Sequence, residues 1–188
     1  MWTTDVCDIP EEFHTLNLTI PGWDYDTVLS ELLKYYEPDN PLEDRMITNP
    51  LTVTQSGNET DLNYKLWEII PDPWSQIRDT ITDACGMFMG LKLECLSLTT
   101  SIMEPGDFTI PHYHSGTIHA LWYLSDTVLD DLVFYSILDR EFVPIEYVKI
   151  KPNDLVVFSG NIAHGTEDLT KKRLVIALTL RKKAQQNQ

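Results

Sequence analysis

Four of the five histidines of this chain have the spacing of a metal site. His112, His114 and His119 lie close together, and His164 follows a short apolar run farther along the chain. Imidazole nitrogen is a good ligand for iron, zinc, copper and nickel. Alternate side chains of a strand point to the same side, so His112 and His114 would project together from a regular strand. We therefore predict that this cluster and His164 share one metal ion, rather than being unrelated polar residues.

Arg173 is a second residue with a candidate chemical role. It opens an apolar, strand-like run shortly after His164. A guanidinium inside a barrel is costly unless an anion pairs with it. Arginine can hold a carboxylate through two parallel hydrogen bonds. The alternative is a solvent-exposed arginine that belongs to the basic run formed with Lys171 and Lys172.

The elements that must position these side chains are short strands that follow Gly90. These segments are rich in β-branched and aromatic residues and are separated by turn residues, which predicts strands. The predicted ranges after Gly90 are 91–103, 108–114, 118–124, 131–138, 145–150, 154–159 and 173–181. One further strand is predicted before Gly90, at 51–55. Strands at this spacing indicate an all-β sandwich or barrel.

Two helices are predicted ahead of these strands. The segment from Asp24 to Glu37 has apolar side chains at helical spacing, and the segment from Pro73 to Met89 is followed by a helix-stopping Gly90. Helices that precede a run of strands argue against a parallel α/β sheet. We expect a single compact domain, in which residues 1–90 form a helical and loop extension packed on a barrel of residues 91–188.

Composition and charge narrow the functional classes. The chain has 188 residues, of which 43% are hydrophobic, and this is typical of a folded globular protein. Its net charge of −15 disfavours binding to nucleic acid or to anionic membranes, since both repel an acidic surface. No signal peptide or transmembrane segment is predicted, and three cysteines without a C-x-x-C pair are typical of a reducing compartment. We expect a cytoplasmic protein, and the sequence leaves its oligomeric state open.

The segment from Leu93 to Leu180 resembles the 2-oxoglutarate- and Fe(II)-dependent oxygenases, in particular a group that is common in phages and marine bacteria. The motifs that carry this resemblance are Pro105-Gly106-Asp107, Pro111-His112-Tyr113-His114, Ala120-Leu121-Trp122-Tyr123-Leu124, Pro152 with Asp154-Leu155-Val156-Val157-Phe158, His164 and Arg173. The resemblance implies a mainly β protein, a double-stranded β-helix (jelly roll) with one or two N-terminal helices packed on its outside.

The resemblance also implies roles for individual residues. His112 and His164 would bind Fe(II), and Arg173 would bind the distal carboxylate of the cosubstrate 2-oxoglutarate. Tyr123 would hydrogen-bond the same cosubstrate, although an aromatic residue on an inner strand is also common in a core. The implied chemistry is oxidative decarboxylation of 2-oxoglutarate to succinate and CO2, coupled to oxidation, as in a hydroxylase, of a C–H bond in a second, unidentified substrate.

Two positions depart from the family pattern. The usual third ligand is a carboxylate, and His114 occupies its position here. Either three histidines hold the iron, or His114 lies outside its coordination sphere. The residue two positions after the arginine, often Ser or Thr in the family, is Val175. We therefore expect one hydrogen bond to the cosubstrate to be missing.

Two other functions stay open. The chain also fits the cupin pattern, and metal cupins include three-histidine dioxygenases and isomerases. The matching positions are Gly106, His112, His114 and His164, with His119 where a glutamate is usual. The third alternative is a barrel that binds a small molecule without catalysing a reaction. It is favoured by the absence of the carboxylate that usually completes the metal site. The fold cannot decide among these functions, but Arg173 favours the oxygenase, since a cosubstrate carboxylate explains it.

Overall fold

The strand-like segments after Gly90 form a series of antiparallel strands in the structure, a computed structural model that describes residues 13–33 and 74–184 except 104, 115 and 126. The strands are β1 (Phe13–Asn17), β2 (Leu93–Met103), β3 (Thr109–His112), β4 (Ile118–Leu124), β5 (Leu132–Leu138), β6 (Glu141–Val148), β7 (Asp154–Ser159), β8 (Ala163–Thr166) and β9 (Arg173–Lys182). The helices are α1 (Tyr25–Leu33) and α2 (Trp74–Met89). None of the described helices is long and apolar enough to cross a lipid bilayer.

The strands form two antiparallel sheets. The five-stranded sheet has the order β1-β7-β4-β9-β2, and the four-stranded sheet has the order β3-β8-β5-β6. From β2 to β9 the chain passes back and forth between the sheets, and only the β5–β6 hairpin stays within one of them. This winding is that of a jelly roll, which confirms the fold class predicted from the sequence.

Alternation along β4 and β9 gives the five-stranded sheet two different faces. One face carries only apolar residues of these two strands, namely Ile118, Ala120, Trp122, Leu124, Leu174, Ile176, Leu178 and Leu180. Val28 of α1 and Ile77 and Ile81 of α2 pack against this face. Burying one such side chain contributes about 1.5–3 kcal/mol, so this cluster fixes both helices on the outside of the sheet. The residues between them on β4 and β9 face the space between the two sheets.

Helix ends follow local signals that the sequence displays. The backbone N–H of Thr27 donates to Oδ1 of Asp24 at 2.8 Å, so Asp24 caps the start of α1. The helix predicted from Pro73 is present as α2, which ends at Met89, and Gly90 has a φ of 65° there. The end predicted for α1 at Glu37 and the strand predicted at 51–55 lie outside the described residues.

Three strand assignments differ from the prediction. β1 is absent from it, because His14, Thr15 and Asn17 weaken the hydrophobic alternation; this strand pairs with β7. β8 is also absent, since it has only four residues. β6 begins at Glu141, earlier than predicted, because the hairpin turns at two residues with positive φ that lack the usual glycine signal.

Candidate metal centre and cosubstrate cavity

Pairing of β3 with β8 places His112 opposite His164. The two residues are Cα partners in the antiparallel ladder, and their ring centroids lie 4.5 Å apart. Gly165, next to His164, allows the two strands to approach closely, because a Cβ there would lie 2.6 Å from the carbonyl oxygen of Thr109. The two imidazoles are therefore fixed by strand pairing between distant parts of the chain.

His114 lies in the loop after β3 instead of on the strand. The prediction that His112 and His114 project from one regular strand is wrong, because β3 ends at His112 and its register is irregular. The loop is held by a hydrogen bond from the His114 backbone N–H to the carbonyl of Gly160, at 2.6 Å. The hydroxyl of Thr117 also donates to the His114 carbonyl, at 2.9 Å. This loop returns the His114 ring toward the other two.

The three predicted ligands nevertheless come together. One candidate ligand nitrogen from each of His112, His114 and His164 lies within 4.8 Å of the other two. No carboxylate belongs to this group among the residues that the structure describes. Asp130, in the acidic turn before β5, instead accepts hydrogen bonds from the backbone and hydroxyl of Thr170. The site is thus built from imidazoles.

Hydrogen bonds define which nitrogen carries the proton in two of the rings. Nδ1 of His112 lies 2.8 Å from the carbonyl oxygen of Ile110, and Nδ1 of His164 lies 3.2 Å from that of Ile162. A carbonyl can only accept, so Nδ1 carries the proton in both rings. Nε2 is then the nitrogen with a free lone pair, which is the arrangement that a metal requires.

Burial keeps these imidazoles neutral. It lowers the pKa of His114 to about 4, with a further contribution from neighbouring His112. Burial also lowers the pKa values of His112 and His164. Metals bind the neutral imidazole, so the cavity holds the rings in the form that is ready to bind.

His119 is a fourth imidazole at the same cavity. It lies on β4, is buried, and stacks on the His114 ring at a centroid distance of 3.9 Å. Its Nε2 lies 3.5 Å from Oγ1 of Thr179 on the neighbouring strand. The group of three close nitrogens does not include His119. Its position therefore limits how the His114 ring can turn.

Arg173 is buried at the start of β9 and lines the cavity that the histidines line. Its Nη2 donates to the backbone carbonyl of Asp130, whereas its Nε is buried without a hydrogen-bond partner. Burial lowers the pKa of Arg173, but a guanidinium stays charged in proteins. The alternative of a solvent-exposed arginine is wrong, because only 2% of this residue is accessible. A buried guanidinium that has an N–H group without a partner is expected to bind an anion.

Tyr123 and Arg173 form one end of this cavity. The guanidinium carbon of Arg173 lies 5.3 Å from the centroid of the Tyr123 ring. Burial raises the pKa of Tyr123 to about 12, so its hydroxyl remains a hydrogen-bond donor. Trp122 directly precedes Tyr123 in the chain and belongs to the opposite, helix-covered face of the sheet. Its Nε1 donates to the carbonyl of Leu18 at 3.0 Å.

The cavity lies between the two sheets and has a volume of about 130 Å³. All five predicted site residues line it: His112, His114, Tyr123, His164 and Arg173. Residues that the sequence analysis did not single out also line it, among them Ser97, Thr99 and Ser101 of β2. These three alternate along one strand, and this period-two pattern of hydroxyl residues was the signal that could have identified them.

Comparison with known proteins supports the fold that the strand order defines. No known protein family and no curated protein matches the chain by sequence. The α-ketoglutarate-dependent non-heme epimerase SnoN from nogalamycin biosynthesis is similar in structure, with a TM-score of 0.58 at 12% identity over 90% of this chain and 78% of SnoN.

Two further solved structures cover most of both chains. AviO1 from Streptomyces viridochromogenes has a TM-score of 0.53 at 12% identity, over 90% of each chain. The viral collagen prolyl hydroxylase of Paramecium bursaria Chlorella virus-1, solved with 2-oxoglutarate, has a TM-score of 0.50 at 11% identity, over 95% of this chain and 99% of that enzyme. The chain therefore has the jelly-roll fold of 2-oxoglutarate- and Fe(II)-dependent oxygenases, and the resemblance predicted from sequence holds at the level of fold.

Proposed function

We propose that this protein is a 2-oxoglutarate- and Fe(II)-dependent oxygenase. The observation that carries the proposal is the composition of one cavity. It holds three convergent imidazoles and, on the same walls, a buried arginine whose Nε has no partner. A metal ion and a carboxylate are the two groups that would satisfy these residues together.

The donor set fits a divalent transition metal. Nε2 of His112 and of His164 would bind the metal, since Nδ1 of each ring lies at a backbone carbonyl, and His114 would supply a third imidazole. Imidazole suits iron among the first-row metals, and three protein ligands leave coordination positions open. When bound, Fe(II) would supply the activation of O2 and the oxidation of a C–H bond in the second substrate.

The opposite end of the cavity fits the distal carboxylate of 2-oxoglutarate. Arg173 would bind this carboxylate through Nε, the donor that has no partner. Tyr123 would support it, since its phenol stays protonated beside the guanidinium. These two residues would thereby orient the 2-oxo acid end toward the histidines.

A metal cupin of another kind is the second candidate function. The three-imidazole group and the absence of a carboxylate among the close ligands favour it. In that case Arg173 would bind an anionic group of the substrate, such as a carboxylate or a phosphate. A barrel that binds its ligand without turnover is the third candidate, because no carboxylate of the described residues belongs to the group of close ligands.

An anaerobic titration tests the proposed function. Addition of Fe(II) and 2-oxoglutarate to the wild-type protein should produce the weak visible charge-transfer band of the chelated 2-oxo acid. Arg173→Ala should lose this band at the same concentrations, because the carboxylate loses its cation. Arg181→Ala is the matched control, since Arg181 lies on the same strand but is exposed and pairs with Glu94. Absence of the band in the wild-type protein would contradict the proposal, and succinate release in air would separate turnover from binding alone.

The two described thiols have no reactive role. Burial raises the pKa values of Cys85 and Cys95 to about 12, so neither is a reactive thiolate at neutral pH. Both are free. We propose that the protein works in a reducing, cytoplasmic compartment, with 2-oxoglutarate as its small-molecule cosubstrate and a primary substrate that the cavity does not identify.

A further inference from the structure

Val175 interrupts the polar end of the cavity, at the position where a hydroxyl residue is common in the family that this chain resembles. The strand register shows what surrounds it. Val175 on β9 is the Cα partner of Tyr123 on β4 and of Ser101 on β2. Val175 therefore lies in one row across three strands, with a hydroxyl-bearing residue on each side.

Ser101 shares the face of the sheet that Arg173 occupies. Arg173 is the Cα partner of Met103, and Ser101 is two residues from Met103 along β2. Diagonal neighbours of this kind have Cα atoms about 7–8 Å apart, which is within reach of one small ligand for a serine and a long arginine. All three residues line the cavity.

The hydroxyl of Ser101 is buried and has no hydrogen-bond partner. A buried polar group without a partner is costly, so native structures generally provide one. Nε of Arg173, at the same end of the cavity, is also buried without a hydrogen-bond partner. Two unsatisfied donors on neighbouring strands, both facing one space, indicate a single acceptor that lies between them.

We infer that Ser101 donates a hydrogen bond to the distal carboxylate of 2-oxoglutarate, and so replaces the hydroxyl that Val175 lacks. This inference rests on the proposed function. The hydrogen bond expected to be missing from β9 is supplied from the adjacent strand. Ser101 is thus a binding residue for the cosubstrate, and it acts with Arg173 on one carboxylate.

Binding of 2-oxo acids to the Mn(II)-loaded protein tests the inference without turnover. Calorimetry should show that Ser101→Ala raises the Kd for 2-oxoglutarate about 10-fold, as expected for loss of a hydrogen bond to a charged group. The Kd for 2-oxobutyrate, which has no distal carboxylate, should stay unchanged. An equal loss for both acids would overturn the inference, since it would indicate a general packing effect.

A rescue variant and a matched control complete the test. Val175→Ser in the Ser101→Ala background should restore the affinity for 2-oxoglutarate, because the two positions are directly opposite in the ladder. Thr100→Val is the control: Thr100 also has a buried hydroxyl without a partner, but it does not line the cavity. It should leave both affinities unchanged.

The two proposals fail in different ways. If the Mn(II)-loaded wild-type protein does not bind 2-oxoglutarate, the proposed function is overturned and this inference with it. If the wild-type protein binds and Ser101→Ala binds equally well, only the role of Ser101 is overturned.

Discussion

His112 and His164 are direct partners in the β3–β8 ladder, and their rings lie 4.5 Å apart although they are distant along the chain. Their geometry is therefore set by backbone pairing, and only His114 depends on a loop. A metal ion bound between the two strands would bind the folded protein more tightly than the unfolded chain, in which the two imidazoles are far apart. Metal binding should consequently stabilise the fold.

Removal of either strand-borne histidine should abolish metal binding. His112→Ala and His164→Ala each delete one of three close imidazoles, so calorimetry with Mn(II) or Ni(II) should show no binding in either variant. His14→Ala is the control, because His14 packs against Phe88 of α2, on the outside of the sheet. Wild-type metal affinity in both cavity variants would rule out the metal site.

His114 decides whether the site uses three histidines. His114→Ala should lower the affinity for Mn(II), because it removes one of three convergent imidazoles. An unchanged affinity would show that the ring lies outside the coordination sphere. His114→Asp introduces the carboxylate that is usual in the family, and it should increase the rate of succinate formation from 2-oxoglutarate. An active wild-type protein that loses activity on this change would indicate that the three-imidazole set is required.

Gly160 should control metal affinity without being a ligand. A Cβ at this position would lie 2.1 Å from the carbonyl oxygen of His114, so the His114 loop must move in Gly160→Ala. We expect the affinity for Mn(II) to fall about 10-fold. This is the lower end of the loss in metal affinity that follows when a residue that orients a metal ligand is mutated. Gly22→Ala is the control: its strain comes from a φ of 82°, far from the cavity, and should affect stability alone. Unchanged affinity in Gly160→Ala would show that the loop does not position the ring.

The metal-free protein should lose stability in mild acid through its buried histidines. An unfolded histidine has a pKa of about 6.5, whereas burial lowers that of His114 to about 4 in the fold. Between these values the unfolded chain takes up a proton that the folded protein does not. The free energy of unfolding should therefore fall as the pH is lowered through this interval.

Urea unfolding of the metal-free protein at pH 7 and pH 5 measures this effect. His114→Gln removes one titrating group while keeping a polar side chain, so the difference between the two pH values should be smaller in this variant than in the wild-type protein. An equal difference in both proteins would show that His114 does not contribute to the acid sensitivity.

Local patterns were sufficient to predict most of the fold. Short apolar runs at 118–124 and 154–159, rich in β-branched and aromatic residues, predicted the bounds of β4 and β7, since both runs end at turn residues. β1 and β8 could not be predicted in this way. β1 is half polar and β8 is very short, so neither has a strand pattern of its own. Each forms a strand because it pairs with a strand that is distant in sequence.

The sequence by itself determined which residues are candidates for the chemistry, because imidazole and guanidinium groups are the side chains that bind a metal and a carboxylate, and all of these candidates line one cavity. Tertiary structure alone decided how they are held. It placed His114 on a loop fixed by Gly160, buried Arg173, and set Ser101 beside Val175. These relationships depend on how the strands pair. The register of that pairing is set by many weak contacts between distant segments, so no local pattern in the chain reveals it.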